Sequence, residues 1–69
     1  MSKRYRLMKD ATTNTEAVAG TVVYKCAKHD YGLASDDTRM TGVRHISVTL
    51  NPDGGYPFFT VPASDVETA

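Results

Sequence analysis

Apolar and polar positions alternate most regularly along Arg44–Leu50, where Ile46, Val48 and Leu50 point one way and His45, Ser47 and Thr49 the other. Successive strand side chains face opposite sides, so this pattern predicts a half-buried β-strand with one apolar face. The β-branched Val43, Val48 and Thr49 suit its pleat. A second run, Tyr56–Val61, puts Phe59 and Val61 on one face and Phe58 and Thr60 on the other. Between the two runs lies Asn51-Pro52-Asp53-Gly54-Gly55. Pro52 fixes φ for the second position of a turn, and Gly54 or Gly55 supplies positive φ. The runs are therefore expected to form a hairpin with a bulge. Pro57 has no N–H for a ladder, which puts its end of the strand at an edge or a bulge.

The rest of the chain adds two more strands. Lys3–Lys9 places Tyr5 and Leu7 on one face and Arg4, Arg6 and Met8 on the other. Asp10–Ala19, polar and rich in Thr, reads as a loop. Gly20 then opens Thr21–Lys25, in which Val23 lies opposite Val22 and Tyr24. Near the end, Ser64-Asp65-Val66-Glu67 has the spacing of a capping box, enough for one helical or 3₁₀ turn. Ala27–Gly42 shows neither period and is expected to be a long loop, 27–42, bent at Gly32 and Gly42. A connection longer than about 12–15 residues is usually functional or mobile. The fold class expected is all-β, with a core of Leu7, Val22, Tyr24, Ile46, Val48, Leu50, Phe59 and Val61.

At 69 residues the chain is expected to be one domain, 1–69. A domain of about 60 residues buries only roughly 60% of its unfolded surface, so either a monomer or a homodimer fits, and dimerisation would add stability. The aromatic pairs Tyr5 with Tyr24 and Phe58 with Phe59 can give a monomer its core. The formal net charge is zero. That argues against an acidic DNA mimic and against a generic nucleic-acid binder, which is usually basic. The single cysteine, Cys26, has no internal partner, which points to a reducing cytoplasm. No apolar run approaches the roughly 20 residues of a membrane span, and the basic N-terminus lacks the apolar segment of a signal peptide.

Candidate chemistry is sparse. Cys26, His29, Asp30, Asp36, Asp37 and His45 do not supply the paired N and S ligands of a structural zinc site, so no metal and no cofactor is expected. The adjacent Asp36 and Asp37 point apart on an extended chain and suit turn hydrogen bonds better than a shared proton. A Cys26–His29 dyad would need a lowered thiol pKa and an orienting third group. Gly54-Gly55 lacks the strand–loop–helix setting of a phosphate cradle. The expectation is that the protein is not an enzyme. Recognition remains. Tyr31, Asp36, Asp37 and Arg39 on loop 27–42 are the candidate partner-binding residues, because Tyr and Arg are common interface anchors. The competing reading folds Tyr31 and Leu33 back to finish the core.

Lys3–Lys9, the phrase A-G-T-V-V-Y at Ala19–Tyr24, the long loop, the hairpin and F-T-V-P-A-S-D-V-E at Phe59–Glu67 together resemble a small SH3-like barrel of the KOW type. The resemblance implies a partly open antiparallel barrel of four to five strands, whose last strand is very short or absent. D-Y-G-L-A-S-D-D-T at Asp30–Thr38 and the stretch His45–Pro62 resemble small tailed-bacteriophage proteins. That implies a viral accessory protein in the host bacterial cytoplasm, acting as a binding module that docks on a host protein and modulates or inhibits it. Host RNA polymerase, a nuclease or a defence complex such as a CRISPR effector are the partner classes in view. The alternative is a KOW-like nucleic-acid-binding domain using Lys3, Arg4, Arg6 and Arg44; the third reading is a small virion-associated structural protein.

Overall fold

The computed structural model describes residues 3–69, so the first two residues of the expected 1–69 domain lie outside it. The elements run β1 (Arg4–Leu7), β2 (Val22–Lys25), α1 (Leu33–Thr41), β3 (His45–Thr49), β4 (Phe58–Pro62), a 3₁₀ turn (Ala63–Asp65) and β5 (Val66–Thr68). The strands form one antiparallel sheet in the order β4-β3-β2-β1-β5. β4 and β5 are its two ends, so the sheet does not close on itself. The expected all-β architecture is correct at this level, with one short helix added.

Register decides which side chains share a face. Ile46 lies opposite Val61, Val48 opposite Phe59 and Lys25, Val23 opposite Tyr5, and Leu7 opposite Val66. The inner face is thus apolar. Its buried cluster is Leu7, Ala17, Val23, Val48, Phe59 and Val61, flanked by Tyr5, Ala11, Ile46, Leu50 and Val66. Two expected core residues are corrected by this register. Val23, fully buried, points inward, so Val22 and Tyr24 face outward and are only half-buried. Ile46 and Leu50 flank the cluster half-buried because they sit at the two ends of the β3 run. Ala17 reaches the core from the 10–19 loop, which folds back through Ala11 N–H to Ala17 C=O (2.8 Å) and Thr13 Oγ1 to Thr60 C=O (3.0 Å).

The expected loop 27–42 is the main correction: most of it is α1. Gly32 and Gly42, at φ 80° and 75°, bound the helix, and Gly42 N–H closes it on Thr38 C=O at 2.9 Å. Both glycines take a left-handed conformation that costs other residues, which fits helix ends. The side chains on the sheet side are Ala34, Asp37 and Thr38, half-buried at i, i+3 and i+4. No residue of α1 is fully buried. The helix docks through polar bonds instead: Thr60 Oγ1 donates to Asp37 Oδ2, and His45 N–H donates to Thr38 Oγ1 at 3.0 Å. A small and polar docking stripe leaves no apolar period to read.

The outer face of β3 is therefore covered as well. Ser47, Thr49 and Thr60 are buried, and each hydroxyl is bonded: Ser47 to Asp30, Thr49 to Gly55 C=O at 2.7 Å, Thr60 to Asp37. Buried polar groups are tolerated when paired in this way. The hairpin turn forms as expected, with Gly54 N–H on Asn51 C=O at 3.0 Å and Gly54 at φ 78°. The Ser64–Glu67 capping box does not form. The 3₁₀ turn has no side-chain cap, and Glu67 lies in β5 near Arg6.

Candidate binding surface

The sequence fixes Tyr31 locally through Asp30. One oxygen of Asp30 accepts the Ser47 hydroxyl, and the other accepts Gly32 N–H at 3.0 Å. The Ser47 bond, then the backbone N–H groups, hold the Asp30 carboxyl below the usual carboxylate range despite some desolvation. This charge-assisted anchor ties the segment before α1 to β3. Tyr31 follows in a left-handed conformation (φ 58°) and projects outward, 70% exposed.

Four aromatic rings stand in a row there. His29 meets Tyr31 edge-on at 5.3 Å, Tyr31 lies 6.4 Å from Tyr56, and Tyr56 stacks on Phe58 at 4.4 Å. Tyr56 is 59% exposed. Desolvation first, then the nearby Tyr31 phenol, pushes the Tyr56 hydroxyl above its ordinary range. Two loops carry the row, and both are pinned. Asn51 Nδ2 donates to the carbonyls of Gly55 and Tyr56, and Ala27 N–H donates to Gly54 C=O at 3.1 Å. The peptide bond before Pro57 is cis. Phe58 continues the row onto the sheet, where Phe58, Thr49, Tyr24 and Arg4 lie opposite one another across four strands.

The sequence-predicted partner residues separate in space. Tyr31 belongs to the row. Asp36 and Arg39 are exposed on α1 and pair with each other. Asp37 turns inward to Thr60, which gives it a structural task. The second predicted set also divides. Arg4 and Arg6 lie on the outer face, with Arg6 3.7 Å from Glu67. Lys3 holds its ammonium 5.5 Å from the Tyr5 ring centre, and Arg44 lines a cavity beside that ring.

From the sequence, His29 is weighed only as a metal ligand or partner of Cys26 and Phe58 only as half of a core pair with Phe59, and none of His29, Tyr56 and Phe58 is assigned to a binding surface. The signal for Phe58 was present: in an alternating strand Phe58 and Phe59 cannot share a face, so one of them must leave the core. Burial first, then the Asp30 charge, pushes the Cys26 thiol above its ordinary value. Among the described residues no three His, Cys, Asp or Glu side chains group to hold a metal ion, and no helix is long and apolar enough to cross a membrane.

Fold and surface together define a small, mostly β protein with an open five-stranded sheet and an exposed aromatic row. No family model, no curated protein and no solved structure matches the chain.

Proposed function

We propose that this chain is a binding module built on an SH3-like, partly open barrel, and that it is a tailed-bacteriophage accessory protein that docks on a host protein in the bacterial cytoplasm and modulates or blocks it. The barrel reading is supported by the strand order β4-β3-β2-β1-β5, by the 3₁₀ turn between β4 and β5, and by the three-residue last strand. The viral reading rests on the phrases at Asp30–Thr38 and His45–Pro62.

The single observation that carries docking is the row His29–Tyr31–Tyr56–Phe58. Two of the exposed large hydrophobics among the described residues, Tyr31 and Tyr56, stand side by side in it at 6.4 Å. Clustered exposed apolar surface marks an interaction site, whereas scattered single residues do not. Tyrosine supplies contact area at low entropic cost, and the pinned loops lower that cost further.

The test is capture from host lysate by tagged protein, with nuclease treatment, comparing the parent chain with Tyr56→Ala. A discrete protein that survives nuclease and is lost with Tyr56→Ala is the expected result. Binding abolished by nuclease would move the protein to the nucleic-acid class.

A further inference from the structure

Three cations, Lys25, Lys28 and Arg44, line a cavity of about 300 Å³ at the ends of β2 and β3. None of them is paired. The ion pairs among the described residues are Arg6–Glu67, Lys9–Asp65 and Arg39–Asp36. Asp30 is the sole carboxylate in the cavity wall, and both its oxygens are already engaged, by Ser47 and by Gly32 N–H. The neighbouring Cys26 thiol adds no negative charge, since burial and Asp30 both favour its protonated form. In the cavity wall the three Lys and Arg charges stand against one carboxylate, which leaves two uncompensated. A second cavity of about 200 Å³ shares the walls Tyr5, Arg44 and Ile46 and adds the apolar Val66 and Ala63.

We propose that this pair of cavities is a binding site for a phosphate monoester with an aromatic body, the chemistry of a nucleoside monophosphate. The phosphate sits among Lys25, Lys28 and Arg44, and the base lies along Tyr5, Ile46 and Val66. Charge selects the monoester. A monoester carries about −1.5 to −2 at neutral pH, which matches the two uncompensated positive charges. A carboxylate or an internal phosphodiester carries one charge and leaves the other unmatched. Arg44 supplies a fork for two phosphate oxygens, and the lysines act as point charges. Together the cavities reach the size range of ordinary small-ligand sites, about 300–1,000 Å³. The site is distinct from Arg4 and Arg6, neither of which lines either cavity. It goes beyond the proposed docking on a host protein and does not depend on it.

The experiment is titration of the full chain, followed by amide NMR and calorimetry. The probes are inorganic phosphate, adenosine 5′-monophosphate, adenosine, and a short oligothymidylate with and without a 5′-phosphate. Adenosine monophosphate is expected to shift the amides of 25–28 and 44–47 and to bind more tightly than either phosphate or adenosine. Lys28→Ala and Arg44→Ala, both at exposed positions, should each weaken it roughly tenfold or more, the worth of one charge-assisted bond. Their circular dichroism spectra should be unchanged. If the 5′-phosphorylated strand binds and the unphosphorylated one does not, the site is confirmed and a strand end becomes its source. Adenosine binding as tightly as its monophosphate, both strands binding alike, or no amide shift with millimolar nucleotide would each overturn the proposal.

Discussion

Asp37→Ala is expected to destabilise the protein far more than Asp36→Ala, although the two carboxylates are adjacent in sequence. Asp37 accepts a bond from the Thr60 hydroxyl, and Thr60 is only 7% exposed. Removing the carboxylate leaves that buried hydroxyl without its partner and releases one of the polar bonds that hold α1 on the sheet. Hydrogen bonds to charged groups contribute about 1.5–3 kcal/mol, and a buried unsatisfied group costs a similar amount. Asp36 faces solvent and pairs with an exposed Arg39, a kind of contact worth roughly 0.2–1 kcal/mol. In a domain of this size 1 kcal/mol moves Tm by about 4–8 °C. Asp37→Ala should therefore lower Tm by roughly 6–24 °C and Asp36→Ala by no more than about 8 °C. Thermal unfolding followed by circular dichroism measures both. A Thr60→Val, Asp37→Ala double variant closes the cycle and should be less destabilised than the sum of its parts. Equal, small effects of the two Asp variants and an additive cycle would refute the polar docking of α1.

Two further outcomes follow from the same structure. Phe59→Ala removes a side chain 6% exposed and opposite Val48, at a cost of about 3–5 kcal/mol; against a total of roughly 3–10 kcal/mol for a chain this long, thermal melting should show a largely unfolded variant, and a cooperative transition near the parent Tm would contradict the core assignment. Asp30 has a depressed folded-state pKa, so its contribution is present above the unfolded value of about 3.9 and is lost as pH falls through the folded value; Ser47→Ala, which removes the leading cause, should flatten the acid limb of urea midpoint against pH, and an unchanged limb would count against this anchor.

Much of the sheet was legible because period-two alternation carries its own register. Ile46, Val48, Phe59 and Val61 read directly as one face, and Asn51–Gly55 carried the chemistry of its turn. In Val22–Val23–Tyr24 the alternation is equally clear, but both faces are apolar, so the pattern could not say which one turns inward. Pairing with Tyr5 decides for Val23. Helix α1 was hidden because its sheet-facing side is Ala34, Asp37 and Thr38, while Leu33 and Met40 look outward. The candidate surface was half visible. Tyr31 stood out as an aromatic in a polar segment. Its neighbours Tyr56 and Phe58 lie more than twenty residues away in sequence, and only the folding of two loops onto one end of the sheet brings the rings together.

The aromatic row is proposed to dock a partner rather than to complete the core. The direct measurement takes Tyr31→Ala and Tyr56→Ala and determines Tm and affinity for the captured partner on the same samples. Exposed rings contribute little to the fold, and the stacking of Tyr56 on Phe58 is worth about 0.5–1.5 kcal/mol, with a further contact to Tyr31. Tm losses well below that of Phe59→Ala are expected, together with at least a roughly tenfold loss of affinity, as for interface tyrosines. Collapse of Tm to the level of Phe59→Ala, or full affinity in both variants, would contradict the proposed docking.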